Sequence, residues 1–353
     1  MKDIGILTFN RAINYGAVLQ AYALRTVLSD LADTEIVNYK SPHIERLYHT
    51  FRGTPAALAR AIVFRKRNRR FRAFTKEISS PEIYDAKSVR GAPYERLLVG
   101  SDQVWNLACT GGDLAFLPLG MPQKKTYAYA ASFGLCRLPE EQVPLFRRAL
   151  EPMAVRSVRE RTGADICRDQ LGLEVPVALD PTLLLTDAHW RAFAAAGKNR
   201  PKKEKYLLLY TLTGSEEVKA AATAVAKRLG LCVYNLTVSL RDRTGDLRVR
   251  DAGPREFVSL IAGADCLVTD SFHGTAFALN LGVPFYSFAR NERASRILDL
   301  LSAVGLSERA NPSEATLAAV APIDFDAAQK RLERECKASL EIIEKIAKDG
   351  KQK

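Results

Sequence analysis

Histidine is scarce in this chain of 353 residues, with four in all, and one of them stands in TDSFHGT at residues 269–275. Asp265 to Asp270 reads as a short buried strand centred on Leu267 and Val268, and Phe272 to Leu281 has helical spacing. His273 therefore falls where a strand hands over to a helix. In an open α/β sheet ligands collect at that edge, and the N–H groups of a helix start attract anions. An imidazolium is disfavoured beside the positive end of a helix unless an anion is there too, so the placement suits proton exchange with an anionic ligand. Ser271 or Asp270 can equally act as a helix cap with no other role, and His273 can be a plain first-turn histidine.

Other polar clusters sit at strand ends. In SVRERTG (157–163), Arg159 directly follows an apolar strand. Its guanidinium can bind a carboxylate or phosphate with two parallel hydrogen bonds, or pair with a nearby acid of the protein. VGSDQVWN (99–106) offers Ser101, Asp102 and Gln103 from a loop, with capping by Ser101 or Asp102 as the competing reading. Trp105 either packs beneath that loop or stacks on a sugar ring. NYGAVLQAYAL (14–24) opens a helix in which Gly16 permits a tight turn and Asn14 is a turn residue or a ligand contact. It does not fit G-x-G-x-x-G, so a nicotinamide cofactor gains no support. In LDPTLLL (179–185), Asp180-Pro181 ends a strand and fixes a turn, a structural role.

The elements that must position these residues alternate between strand and helix, the pattern of parallel sheets flanked by helices. IGILTF, TEIVNY, RLLVG, KTYAYAASF and MAVRSV read as strands, and AVLQAYALRTVLSDL as a helix after the first of them. Residues 186–205 look like a short helix running into a charged, proline-containing linker, the expected domain boundary. A second series follows: the strand YLLLYTL, a helix near Glu216 to Leu229, the strand CVYNLTV, the helix PREFVSLIAGA, DCLVTD, the SFHGT helix, the strand VPFYSFA and the helix RASRILDLLSAVG. The expected organisation is an N-terminal α/β domain over 1–190, a C-terminal α/β domain over 205–320, and a helix in 321–353 packing back on the domains. The expected fold class is α/β, with two Rossmann-like domains facing a cleft.

Composition narrows the classes. The net charge of +12 calls for an anionic partner or surface, and much of it falls in RAIVFRKRNRRFRAFTK, Arg60 to Lys76. Apolar Ile62, Val63, Phe64, Phe71 and Phe74 interleave with those charges as in an amphipathic helix. The readings are a solvated face, or attraction of residues 60–76 to an anionic lipid, as peripheral membrane contact, or to a lipid-phosphate substrate. No recognisable nucleic-acid module accompanies the charge, so nucleic acid is not expected as a partner. Six scattered cysteines, with no C-x-x-C pair, point to reduced thiols and no metal site. No stretch approaches the roughly 20 apolar residues of a membrane span. The opening MKDIGILTFNRAINYG is unlike a signal peptide, so the expected location is cytoplasmic, including the inner face of the membrane.

Taken in order, NYGAVLQAYAL, VGSDQVWN, YAASFG, SVRERTG, LDPTLLL and TDSFHGT resemble the polysaccharide pyruvyl transferase family, from about Lys2 to about Arg309. The resemblance implies a GT-B-like fold and transfer of the enolpyruvyl unit of phosphoenolpyruvate to two hydroxyls of a saccharide, lipid-linked acceptors included. The products are a cyclic pyruvate ketal and phosphate, in exopolysaccharide or cell-envelope biosynthesis. Phosphoenolpyruvate is a co-substrate, and no further cofactor is implied. His273 matches the histidine that the family's motif treats as catalytic. Substrate contacts are expected from Asn14, Tyr15 and Gly16, from Ser101, Asp102 and Gln103, from Arg159, and from Ser271, Gly274 and Thr275. Where some members carry Arg-Leu-His, this chain has Ser271-Phe272-His273, so one cationic contact to phosphate is absent here or supplied from elsewhere. Arg296 is the first candidate, with Arg290 and Arg293 behind it. That departure keeps open a glycosyltransferase using a nucleotide-sugar donor, and a saccharide-binding descendant without catalysis.

Overall fold

The computed structural model describes residues 2–48, 54–119, 121, 125–197, 205–289 and 294–349. The chain divides into two compact units, one of Met1–Thr50, Arg72–Leu184 and Arg334–Lys353, the other of Phe51–Phe71 and Leu185–Glu333. Residues 198–204 of the expected linker lie outside the described residues.

The first unit holds six strands: β1 (Ile4–Leu7), β2 (Thr34–Tyr39), β3 (Ser79–Tyr84), β4 (Arg96–Val99), β5 (Lys125–Ala131) and β6 (Val155–Val158). They form one parallel sheet in the order β3-β2-β1-β4-β5-β6, the Rossmann strand order. The register pairs Ile4 with Thr34 on one side and with Arg96 on the other. Ile4, Ile6, Leu97, Leu98 and Val99 are fully buried. Strands covered on both faces read as unbroken apolar runs, which is why these segments were legible as strands. The helix Tyr15–Ser29 buries Val18, Ala21, Leu24 and Leu28 at helical spacing.

The second unit holds β7 (Tyr206–Tyr210), β8 (Cys232–Leu236), β9 (Leu247–Val249), β10 (Cys266–Thr269) and β11 (Phe285–Ser287). Its parallel sheet runs β11-β10-β7-β8-β9, the same winding with one strand fewer. Leu207, Leu209 and Val268 pack against Val218, Ala222 and Val225 of the helix Glu216–Leu229. Burying each of the large aliphatic side chains stabilises the unit by about 1.5–3 kcal/mol.

Two strands escape sequence reading, and both are sheet edges. SSPEIY of β3 carries a proline and LRV of β9 is short and half exposed, the composition of strands with a single neighbour. The amphipathic helix read across Arg60 to Lys76 needs correction. Phe64, with φ −94° and ψ 7°, breaks it into Pro55–Val63 and Arg65–Ile78. Phe64, Phe71 and Phe74 are buried within the protein and do not share an outward face with the cations. No helix among the described residues is long and apolar enough to cross a membrane.

Candidate active site

A doubly wound sheet binds ligands at the carboxyl ends of its strands, where the winding reverses. In the first unit that point lies between β1 and β4. The loop after β1 leads through Asn14, whose Oδ1 accepts a hydrogen bond from the Ala17 N–H at 3.2 Å and so caps the helix. Tyr15 is buried, and Gly16 is the second helical residue with no left-handed backbone. The expected turn at Gly16 is therefore absent; the left-handed glycine needed nearby is Gly100, φ 116°, where a Cβ would strike the Tyr129 carbonyl oxygen.

Ser101, after β4, is fully buried. Its hydroxyl donates to the Ala130 carbonyl at 2.9 Å, its N–H donates to Gln20 Oε1 at 3.2 Å, and its carbonyl accepts from the Thr8 hydroxyl at 3.0 Å. Gln20 also donates to Thr8 Oγ1 at 2.8 Å. Thr8, Gln20 and Ser101 thus tie together the two loops of the switch point. Sequence reasoning missed Thr8 and Gln20, which become visible only once β1 and β4 are known to be neighbours.

Arg159, beyond the end of β6, donates from Nη1 to Asp180 at 2.6 Å and from Nη2 to Asp102 at 3.1 Å, with only 1% of its side chain exposed. Burial works against its charge, and the carboxylates of Asp102 and Asp180 more than offset that, leaving the guanidinium more firmly protonated than usual. Of the two readings open for Arg159, pairing with protein acids is the one observed. Asp102 keeps some solvent contact and sits at φ 75°, an uncommon backbone region that Asp tolerates. Gln103 is buried, and its N–H donates to Asp102 Oδ1 at 2.9 Å. Trp105 is fully buried with its ring 5.1 Å from that of Phe133, so it packs beneath the loop and is not placed to stack on a sugar. Asp180 also accepts from the Thr182 N–H at 3.0 Å and from its hydroxyl at 2.8 Å, the turn-fixing role expected of LDPT.

In the second unit the winding reverses between β7 and β10. Asp270, at the end of β10, accepts from the Thr211 hydroxyl at 2.7 Å, the Leu212 N–H at 2.6 Å and the Thr213 N–H at 3.1 Å. Its carboxylate therefore pins the loop after β7, and Ser271 is the cap. The Ser271 hydroxyl accepts from the Gly274 N–H at 3.3 Å, while the Ser271 N–H donates to Thr269 Oγ1 at 3.0 Å. Thr275 donates to the Ser271 carbonyl at 3.0 Å and contacts the Ser287 hydroxyl at 2.7 Å. A Cβ on Gly274 would come within 2.7 Å of Thr269 Oγ1, so the helix approaches the strand too closely for any other residue.

His273 stands in the first turn of Phe272–Asn280, largely buried, its ring edge-on to Phe272 at 5.2 Å. The Arg296 guanidinium lies 5.7 Å from the centre of the same Phe272 ring. Phe272 thus carries an imidazole and a guanidinium as neighbours. Arg290 and Arg293 lie outside the described residues. No acidic residue occupies the first turn of this helix, whereas the helix after β7 opens with Glu216 and Glu217. Of the two helix starts flanking the switch point, the one at Ser271 is suited to an anion. The buried cysteines Cys167 and Cys266 have thiols pushed up to about 12 by burial, which leaves them protonated near neutrality and poor nucleophiles.

Solved structures of sugar-nucleotide enzymes share the fold. A UDP-N-acetylglucosamine 2-epimerase is 14% identical with a TM-score of 0.57, covering 99% of this chain and 95% of its own. A UDP-N-acetylglucosamine 2-epimerase from Methanocaldococcus jannaschii, solved with UDP-GlcNAc and UDP, is 12% identical with a TM-score of 0.51, covering 98% of both chains. A protein described as a UDP-N-acetylglucosamine 2-epimerase from Listeria monocytogenes is 13% identical with a TM-score of 0.51, covering 98% of this chain and 91% of its own. At such identities the likeness establishes the two-domain GT-B-like fold alone. No curated protein sequence matches. The family model for polysaccharide pyruvyl transferase matches residues 14–292, from the capping Asn14 past the His273 helix. The chain belongs to the polysaccharide pyruvyl transferase family.

Proposed function

We propose that the protein moves the pyruvyl group of phosphoenolpyruvate onto two hydroxyls of a saccharide, forming a pyruvate ketal and releasing phosphate. The observation that carries this reading is the helix start at the β7–β10 switch point, whose first turn holds His273 and no acid, the Asp270 carboxylate being taken up by the loop after β7. A phosphate or carboxylate is stabilised there by backbone N–H groups, and a histidine beside it exchanges protons near neutral pH. The reaction adds a proton to the methylene carbon, giving an oxocarbenium-like centre at C2. One sugar hydroxyl attacks that carbon and loses its proton. The second hydroxyl then displaces phosphate, so its oxygen replaces the phosphoryl oxygen on C2; of the two hydroxyl protons, one replaces that given to the methylene carbon and the other ends on the released phosphate. His273 is assigned one of these proton transfers, and Arg296 the cation that Ser271 does not supply. Asp102, largely buried and held by Arg159, is an acid that the first unit offers at its own sheet edge.

The Ser271 cap favours keeping a second reading, a nucleotide-sugar donor, because the motif's arginine is replaced by a residue whose hydroxyl turns inward. Calorimetry separates the two. Phosphoenolpyruvate and a set of nucleotide-sugars are titrated into the wild type and His273→Ala. Binding of phosphoenolpyruvate that the substitution weakens supports pyruvyl transfer. Binding of a nucleotide-sugar in its place moves the assignment to glycosyl transfer, and failure of both with a saccharide still bound leaves a binding protein.

A further inference from the structure

The basic segment before β3 is not absorbed by this chemistry, and its exposed face has a composition of its own. In the helix Pro55–Val63, Leu58 is 53% exposed, Ile62 66% and Val63 41%. Leu58 and Ile62 are one turn apart and share a face. Ala59 and Ala61 are exposed with them. Large apolar side chains grouped this way mark an interaction surface more often than a solvated one.

The neighbouring cations divide into two sets. Lys66 pairs with Asp251 at 2.6 Å, and Arg70 with Asp251 at 3.5 Å and Glu256 at 3.3 Å. Arg67 lies over the Phe71 ring at 5.0 Å. Lys66 and Arg70 tie the segment to the rest of the second unit, while Arg67 packs along its own helix. Arg65 and Arg69, again one turn apart, are exposed, and Arg60 is exposed beside Phe64. Exposed apolar residues are thus followed directly by exposed guanidinium groups.

We infer that Leu58 and Ile62, with Val63 beside them and Arg65 and Arg69 following in the next helix, form a docking surface for an anionic lipid bilayer. The charge sets the partner: a purely apolar patch would suit a second copy of the chain, but guanidinium groups beside it repel their own copies and attract lipid phosphates. With no helix among the described residues able to span, the segment lies in the interface, aliphatic side chains immersed and arginines at the headgroups. The inference goes beyond the transferase chemistry and does not depend on it.

Co-sedimentation of the full chain with phosphatidylglycerol-rich vesicles and with pure phosphatidylcholine vesicles tests it, without phosphoenolpyruvate or saccharide. The expected result is binding to the anionic vesicles at low salt that fades as salt is raised. Arg65→Gln with Arg69→Gln weakens that binding about thirtyfold, about 1 kcal/mol per cation. Leu58→Ser with Ile62→Ser weakens it about tenfold, and both pairs, being exposed, leave the unfolding midpoint in place. Equal binding to both vesicle types, no binding at low salt, or variants that bind like wild type overturn the inference. So does light scattering that shows a dimer dissolved by the serine pair, which would make a second copy the occupant.

Discussion

Arg159 directs its charge at two carboxylates of its own unit, and that decides what its substitution does. Removing one partner of a buried ion pair leaves the other charge uncompensated, at a cost of about 3–5 kcal/mol. Arg159→Met is therefore expected to destabilise the first unit by that amount in urea unfolding, through Asp180, whose side chain is fully buried. A direct ligand role predicts instead a stable variant with weakened substrate binding. His273 is the opposite case. His273→Asn, which keeps most of the buried volume, is expected to cost about 100- to 10,000-fold in kcat, read as phosphate release, with the unfolding midpoint nearly unchanged. A variant that loses stability and activity together would make His273 a packing residue.

The helix Phe272–Asn280 is placed by its cap and by the close approach of Gly274 to Thr269. Ser271→Ala removes the acceptor for the Gly274 N–H and is expected to cost about 1 kcal/mol. Gly274→Ala meets Thr269 Oγ1, which is held on two sides: it donates to the Tyr210 carbonyl at 2.6 Å and accepts from the Ser271 N–H. The neighbour cannot swing away, so overpacking of about 1–3 kcal/mol is expected, together with a larger loss of activity than of stability because His273 moves with the helix. Urea unfolding and phosphate release on both variants separate the cap from the spacing. Equal effects on stability and rate would show that the helix start is structural only.

On the scale of the whole chain, the last helix, Phe325–Lys348, ends in the first unit. Arg96 of β4 donates to the carbonyls of Ile346 at 3.0 Å, Ala347 at 3.1 Å and Asp349 at 2.7 Å, so a cation closes the negative end of that helix. Asp349 in turn accepts from Lys125 Nζ at 3.0 Å and from the Tyr127 hydroxyl at 2.9 Å. The hydrogen bonds from Lys125 and Tyr127 hold the Asp349 carboxyl below the usual carboxylate range. A depressed pKa stabilises the fold above the unfolded value, about 3.9, and that stability is lost as pH falls through the folded value. The tail is thus expected to loosen below about pH 4, seen as faster amide exchange over Ile342–Ala347. Asp349→Asn should remove that pH dependence. If protection over the tail is lost below about pH 4 in the mutant as in the wild type, other carboxylates control the tail.

The sequence by itself determined most of the elements. YLLLY is buried at every position because a parallel strand is covered on both faces, and the helix Glu216–Leu229 declares itself by its spacing and its terminal Gly230. The TDSFHGT strand-to-helix junction was legible for the same local reasons, and the family through the resemblance of its ordered motifs. What only the tertiary structure decided is which strand ends are neighbours. That put Gln20 against Ser101, Asp270 against Thr211 and Arg159 against Asp102, and it turned Ser101 and Trp105 inward. Periodicity and capping act within a few residues of chain, whereas hydrogen bonds and ion pairs join groups that strand order brings together. A side chain's role at the sheet edge depends on those distant partners, which local pattern does not encode.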